Sequence, residues 1–235
     1  MVGGDNSEPE DGLDVVTTLD LEMQDVADRA LRRQLEAQNA LWGTALVMEV
    51  ATGDLLAMAN LSRTKSGAYA EVKNHALSSR MEPGSTFKLA ALLALVDDAG
   101  MSLDETFDTG NGARVKVGRT TVQDSHGLPP LNLKDAVAHS SNVFFARAVY
   151  ETYKDDPERY VDYLRHLHLD RTVGLEEFGA VAPIFPAPGM KIWYPDVSIV
   201  NMGYGYAIEL TPLHTLTLYN LSLIHISEPT RLGMI

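Results

Sequence analysis

The stretch EPGSTFKLAALLALVDDAG, residues 82–100, decides the fold of this chain. Its Pro-Gly pair interrupts regular backbone, and the residues that follow favour helix and are nearly all apolar. Gly100 is a typical helix stop. A helix that is apolar on every side belongs inside a domain, so we predict a buried helix from Ser85 to Asp98.

Ser85 and Lys88 open this helix three positions apart, which places both side chains on one helical face. The N-terminal end of a helix offers unpaired N–H groups and positive potential. Burial lowers the pKa of a lysine, and a neutral lysine can take a proton from a serine hydroxyl. Ser85 is therefore a candidate nucleophile and Lys88 its base. The four-residue pattern alone also fits an N-cap serine followed by a surface lysine.

A second polar motif, Ser140-Ser141-Asn142, lies 55 residues after Ser85 (140 − 85) and separates two predicted helices. Read as Ser-x-Asn, it supplies a hydroxyl that can relay a proton and a carboxamide that can hold a substrate amide. Ser140 and Asn142 are the candidate residues. Standing alone, the triplet also fits a polar turn between helices.

Outside these motifs, periodicity and turn residues predict the remaining elements. One predicted helix begins after Asp20, its N-cap. A second covers 133–139 and has Asn132 as its N-cap, and two more cover 143–153 and 157–167. The predicted extended and irregular segments are a hairpin over 44–59, a polar loop over 62–71, short strands and loops over 102–130, and an irregular stretch over 174–198.

The composition excludes several classes of function. Lys plus Arg is 19 against 32 for Asp plus Glu, a net charge of −13, which argues against nucleic-acid binding and against docking on an anionic membrane. There is no cysteine, so disulfides, thiolate zinc sites and cysteine nucleophiles are excluded. No run is long and apolar enough to span a bilayer. We expect neither a metal nor a cofactor.

The motifs together resemble a known family. Active-site-serine penicillin-interacting enzymes carry Ser-x-x-Lys, then Ser-x-Asn, then Lys-Thr-Gly. This sequence is similar to the class B penicillin-binding proteins, the peptidoglycan D,D-transpeptidases, over roughly residues 18 to 220. The stretches that carry the resemblance are 18–20, 51–53, 55–58, 82–88, 140–143, 203–205 and 210–213.

The resemblance implies an α/β fold of the penicillin-binding transpeptidase and β-lactamase type. Its antiparallel sheet lies between helix layers, and we expect it to be incomplete here, with further strands beyond residue 220. The resemblance also implies roles. Ser85 would attack a D-Ala-D-Ala carbonyl, Lys88 would take its proton, Ser140 would carry protons to the leaving group, and Asn142 would bind the substrate backbone.

The third motif departs from the family pattern. No Lys-Thr-Gly follows Asn142, and the similar Lys-Ser-Gly at 65–67 precedes Ser85 and reads as a solvated loop. We expect a disordered leader or linker remnant over 1–17, the N-terminal part of a transpeptidase domain over 18–220, and a tail over 221–235 that resembles translated read-through. A chain truncated in this way should be poorly soluble and inactive, because an oxyanion donor is missing and a sheet edge is unpaired.

The expected partners follow from the resemblance. They are peptidoglycan stem peptides ending in D-Ala-D-Ala, β-lactam antibiotics and, through missing regions, divisome or elongasome membrane proteins, with no nucleic acid. The expected location is the extracytoplasmic (periplasmic) face of the bacterial plasma membrane, with an N-terminal anchor absent from this chain. Division is favoured over elongation. A β-lactamase of the same fold and a non-catalytic β-lactam sensor or scaffold remain alternatives.

Overall fold

A computed structural model describes residues 14–226. The first helix, α1 (Leu21–Gln38), begins as predicted, because the Asp20 side chain accepts a hydrogen bond from the backbone N–H of Met23. It ends at Asn39, whose backbone is left-handed. Most of the predicted leader (residues 1–13) and most of the predicted tail (residues 227–235) lie outside the described residues.

The predicted hairpin is confirmed as β1 (Trp42–Met48) and β2 (Leu55–Arg63), which pair antiparallel. The loop predicted over 62–71 is partly wrong, because β3 (Tyr69–Ala70) pairs with the end of β2. A strand beyond the hairpin therefore precedes residue 220. The Tyr69 hydroxyl donates to the carbonyl of Ala40, 2.7 Å away, and this bond holds β3 against the end of α1.

The two faces of the sheet pack against different helices. Because side chains alternate along a strand, one face presents Ala59, which packs with Ala27 of α1. The other face presents Trp42, whose ring stacks on His75 of α2 (His75–Ser78) at 4.1 Å between centroids. The expected antiparallel sheet between helix layers is confirmed.

The segment after Pro83 is helical but not one regular α-helix. It comprises a 3₁₀ turn (Gly84–Phe87), α3 (Lys88–Leu93) and a π-helical turn (Ala94–Asp98). The single α-helix predicted from Ser85 to Asp98 is wrong in this respect. Periodicity over so short a segment cannot separate these hydrogen-bonding patterns.

The remaining elements form the second half of the domain. Two strand pairs are antiparallel: β4 (Thr106–Phe107) with β7 (Leu131–Asn132), and β5 (Val115–Val117) with β6 (Thr120–Val122). The later helices are α4 (Leu133–Ala138), α5 (Asn142–Tyr153), α6 (Pro157–His166), α7 (Ser198–Met202) and α8 (Pro212–Ile226). The helices predicted over 133–139, 143–153 and 157–167 are confirmed within a residue. The boundary predicted after residue 220 falls inside α8 and stays a prediction.

The main core surrounds α3 and α5. Phe87, Ala91 and Leu95 are fully buried, as are Phe144 and Phe145, which belong to the same cluster. The middle of the segment that was predicted to be a buried helix therefore lies inside the domain, whereas Ser85 at its start and Val96 near its end are exposed. Between residues 14 and 226, none of the helices combines the length and apolarity needed to cross a membrane.

Candidate active site

The four residues predicted from the two motifs meet around one atom, the Nζ of Lys88. This nitrogen lies 3.2 Å from Ser85 Oγ, 3.1 Å from Ser140 Oγ and 2.7 Å from Asn142 Oδ1. It also lies 2.5 Å from the carbonyl oxygen of Ser140. The two motifs, more than fifty residues apart in sequence, thus form a single cluster.

The 3₁₀ turn explains how Ser85 and Lys88 face each other. Side chains at positions i and i+3 eclipse in a 3₁₀ helix, whereas they are offset in an α-helix. The Lys88 N–H bonds to the Ser85 carbonyl, which closes that turn. Ser85 is exposed, while only 5% of Lys88 is accessible. The candidate nucleophile is open to solvent and its candidate base is enclosed.

The neighbours of Lys88 determine how a neutral amine is oriented there. The carbonyl of Ser140 and the Oδ1 of Asn142 can only accept hydrogen bonds, so they take the two N–H groups of the amine. The Asn142 Nδ2 donates in turn to the carbonyl of Gln123 at 3.4 Å, a long bond that agrees with this orientation of the amide. The lone pair of Lys88 is then left facing the hydroxyls of Ser85 and Ser140.

Burial favours that neutral amine. Desolvation lowers the pKa of Lys88 from 10.5 to about 8, and the negative charge of Asp124 partly opposes the shift. The ring of Phe145 lies 6.0 Å from Nζ and contributes to the enclosure. A substantial fraction of Lys88 is therefore neutral near neutral or slightly alkaline pH.

Ser140 occupies a position that usually belongs to glycine. Its N–H bonds to the carbonyl of Val137, and the N–H of Ser141 bonds to the carbonyl of Ala136, which is the Schellman pattern at the end of α4. This pattern needs a left-handed residue, and Ser140 has φ of 52°. A serine there is strained compared with a glycine, so its hydroxyl is kept at some cost in stability.

Ser141 and Asp124 are residues that the sequence argument did not assign to the site. Ser141 caps α5 by accepting from the N–H of Phe144 at 3.0 Å, and it donates to Asp124 Oδ2 at 2.8 Å. Asp124 follows β6 and is 8% exposed. A lone aspartate in a polar loop gives no sequence signal for this contact, because only the fold brings it beside the second motif.

The turn that carries Ser85 is held by the segment around Gly205. The N–H of Gly84 bonds to the carbonyl of Gly205 at 2.9 Å, and Met81 pairs with Leu210 as an antiparallel bridge. Farther along, the N–H of Ala207 bonds to the Glu82 carboxylate at 3.1 Å. The Gly-Tyr-Gly stretch thus contacts the turn that carries the nucleophile.

Residues 43–221 match the family described as the penicillin binding protein transpeptidase domain. The chain belongs to this family. The resemblance stated from the sequence is confirmed, and the matched range of the transpeptidase domain includes both motifs.

Curated relatives support the same family. The chain is 26% identical over 219 residues to the probable peptidoglycan D,D-transpeptidase PenA of Neisseria gonorrhoeae. This alignment covers 91% of this chain and 36% of PenA. It is 28% identical over 220 residues to penicillin-binding protein PbpB of Mycobacterium tuberculosis, covering 88% of this chain and 31% of PbpB. The chain thus spans about a third of the length of these relatives.

Solved structures share the fold. The transpeptidase domain of Burkholderia pseudomallei penicillin-binding protein 3 superposes with a TM-score of 0.73 at 23% identity, covering 87% of this chain and 56% of that one. A peptidoglycan glycosyltransferase from Burkholderia ambifaria gives a TM-score of 0.71 at 22% identity, covering 87% and 60%. The transpeptidase fold predicted from sequence is therefore confirmed.

Proposed function

We propose that this chain is part of a class B peptidoglycan D,D-transpeptidase that works through an acyl-enzyme on Ser85. The observation that carries the proposal is the position of Lys88. Its Nζ lies 3.2 Å from Ser85 Oγ, and burial lowers its pKa to about 8. A serine with an enclosed, partly neutral amine at hydrogen-bond distance has an activated nucleophile and its base.

The proposed acylation proceeds in two proton transfers. Neutral Lys88 takes the proton of Ser85 as the serine oxygen bonds to the penultimate D-Ala carbonyl carbon of a donor stem peptide. As the C–N bond breaks, a proton passes from Lys88 through the Ser140 hydroxyl to the leaving amine of the terminal D-Ala. An amine of a second stem peptide then attacks the ester carbonyl and loses a proton to neutral Lys88. The ester C–O bond breaks, Lys88 returns that proton to the Ser85 oxygen, and the new amide bond is the cross-link.

Asn142 has a double role in this proposal. Its Oδ1 accepts from Lys88 and keeps the amine aimed at Ser85. Among the residues that the structure describes, its Nδ2 makes one long bond, of 3.4 Å, to the carbonyl of Gln123. That group can exchange this bond for one to a substrate amide carbonyl, which would place the donor peptide against Ser85.

The rate expected of this 235-residue polypeptide is low. Its sequence has no Lys-Thr-Gly after Asn142, the motif that resemblance to the family links with an oxyanion donor and with binding of the substrate carboxylate. Loss of one oxyanion donor slows acyl transfer by about 10²–10³-fold. The sequence argument expects an inactive chain, but Ser85 and Lys88 lie at hydrogen-bond distance in the structure. We therefore propose slow acylation by β-lactams in place of complete inactivity, and no measurable transpeptidation from these residues alone.

A fluorescent penicillin tests the proposal. The chain is incubated for hours with excess reagent, and the adduct is located by mass spectrometry of the peptide that contains Ser85. We expect one slow adduct on Ser85, none with Ser85→Ala, and normal labelling with Ser66→Ala, an exposed serine outside the site. An adduct that persists in Ser85→Ala would contradict the assignment, and so would the absence of any adduct on the folded wild type.

The fate of the adduct separates the alternatives. A transpeptidase keeps the β-lactam bound for many minutes, whereas a β-lactamase of this fold would release it quickly. A sensor or scaffold would be acylated by the β-lactam but would release no D-Ala from a stem-peptide mimic, even when the domain is supplied with a Lys-Thr-Gly segment. The proposal requires slow deacylation and D-Ala release from that completed domain.

We also propose the cellular setting that such chemistry requires. The substrate lies outside the plasma membrane, so the domain acts on the extracytoplasmic face, with divisome or elongasome membrane proteins as partners of the whole protein. Of the division and elongation types, we propose the division type. Depletion of the gene in its host should then give filaments, while rounded cells would indicate an elongation enzyme.

A further inference from the structure

Asp124 is a buried carboxylate beside the proposed site that the mechanism does not use. It follows β6, is 8% exposed, and reaches the start of α5 from a different part of the fold. A carboxylate in such a place is costly unless it is fully hydrogen-bonded. The groups that satisfy it therefore indicate why it is there.

Asp124 completes the N-terminal cap of α5. Its Oδ1 accepts from the N–H of Asn142 at 2.5 Å and from the N–H of Val143 at 3.2 Å, while its Oδ2 accepts from Ser141 Oγ at 2.8 Å. Ser141 in turn accepts from Phe144 N. Three consecutive N–H groups at the start of α5 are thus satisfied by two side chains.

This cap fixes the residues that surround Lys88. Asn142 is the first residue of α5, and its backbone N–H bonds to Asp124 while its side chain bonds to Lys88. Ser140, two positions earlier, is held in a left-handed conformation with φ of 52°. A strained backbone of this kind persists only when its surroundings determine it, and the Asp124 bonds supply part of that constraint.

The charge of Asp124 also acts on Lys88. The groups that face Nζ at close range are Ser85 from the 3₁₀ turn, Ser140 and Asn142 from the junction of α4 and α5, and the Phe145 ring. None of these carries a charge near neutral pH. Asp124 is the charged residue whose attraction favours the protonated form of Lys88, against the desolvation that favours the neutral form.

We propose that Asp124 is a positioning residue of the acylation site, which fixes Ser140 and Asn142, and with them the surroundings of the Lys88 amine, through the cap of α5. This inference rests on the proposed function for its catalytic meaning. Without the carboxylate, desolvation would leave the Lys88 amine neutral but weakly basic. The negative charge of Asp124 raises its pKa and so strengthens it as a base. The expected consequence is that base strength and the fraction of neutral amine are balanced near physiological pH.

The test is a titration of Lys88 that needs no substrate. The full chain is prepared with ¹³C-labelled lysine, the Lys88 signal is assigned by its loss in Lys88→Arg, and its pKa is read by NMR. Asp124→Asn should lower that pKa by about one unit, the usual size of the effect of one nearby opposite charge. Asp124→Glu, which keeps the charge, should restore most of the wild-type value.

Asp135→Asn is the matched control. It removes the same charge from an exposed position on α4, near Ser140, and should leave the titration of Lys88 unchanged. In the β-lactam reaction, Asp124→Asn should move the acid limb of the acylation profile to lower pH. A residue that only capped α5 would lower the rate at every pH without moving that limb.

The outcomes separate this inference from the proposed function. An unchanged Lys88 pKa in folded Asp124→Asn would overturn the inference, even if the wild type forms its Ser85 adduct. A wild type that forms no adduct would contradict the proposed function, while the titration would still decide the role of Asp124. Should Asp124→Asn not fold, the wild-type amide protons of Asn142 and Val143 decide: they must shift as the Asp124 carboxylate is protonated, and pH-independent shifts would overturn the inference.

Discussion

Gly205 packs directly against the carbonyl group of Gly84, the residue that precedes Ser85. A Cβ added to Gly205 would lie 1.8 Å from the Gly84 oxygen, far inside any allowed contact. Gly205 also has φ of 91°, a backbone conformation that residues other than glycine rarely adopt. The glycine in the Gly-Tyr-Gly stretch is therefore what allows the two segments to touch.

Gly205→Ala should displace the turn that carries Ser85. We expect a loss of about 3 kcal/mol or more in the free energy of unfolding and at least a tenfold slower acylation, because backbone would have to move. Gly189→Ala is the control: Gly189 has φ of 84° but open space around its Cβ position. Backbone strain alone should cost it about 1 kcal/mol. Equal losses in urea unfolding of the two variants would show that the contact is unimportant.

Ser140 should reveal a trade of stability for function. Ser140→Gly relieves the left-handed backbone and should raise the free energy of unfolding by about 0.5–1 kcal/mol, whereas Ser140→Ala keeps the strain and should not. Both variants lose the Ser140 hydroxyl, so in both we expect the β-lactam to acylate Ser85 more slowly. Thermal unfolding and β-lactam labelling measure the two effects, and a Ser140→Gly protein that is less stable than Ser140→Ala would refute the interpretation.

Lys88 should make stability rise with pH. Its folded pKa is about 8 against an ordinary 10.5, so between these values the unfolded chain holds a proton that the folded chain lacks. Burial of the protonated Lys88 amine therefore destabilises the fold fully below pH 8, and this destabilisation disappears as the pH rises past 10.5. Lys88→Met removes this dependence. The unfolding free energy of the wild type minus that of Lys88→Met should increase by about 2 kcal/mol from pH 7 to pH 10, as measured by urea unfolding. A constant difference would contradict the lowered pKa.

Tyr153 and Tyr160 are both fully buried but differ in their hydroxyl groups. The Tyr153 hydroxyl lies 2.8 Å from the carbonyl oxygen of Ala94, in the π-helical turn, and 2.9 Å from the Asp98 carboxylate, and its single proton is shared between these two acceptors. The Tyr160 hydroxyl has no hydrogen-bond partner within the described part of the chain. Tyr153→Phe should cost about 1–2 kcal/mol, while Tyr160→Phe should be neutral or slightly stabilising. Melting temperatures compare the two, and an equal loss in both would contradict the difference.

Local elements of the fold followed from the sequence because their signals are local. The Asp20 and Asn132 caps, the hairpin over 44–59 and the helices over 143–153 and 157–167 depend on side chains within a few residues of each other. The 3₁₀ and π turns around α3 did not follow, since they differ from an α-helix only in which carbonyl each N–H selects. The short strand β3 was missed because it depends on contacts with α1 and β2.

For the candidate site, the sequence by itself determined the identity and order of Ser85, Lys88, Ser140 and Asn142, since residue types at fixed spacings are written in one dimension. Only the tertiary structure decided that one nitrogen meets all of them, that burial lowers the pKa of that amine, and that Asp124 supports their arrangement. Distances between segments far apart in sequence, and the desolvation of a charge, arise only when the chain packs. No spacing along the chain encodes either quantity.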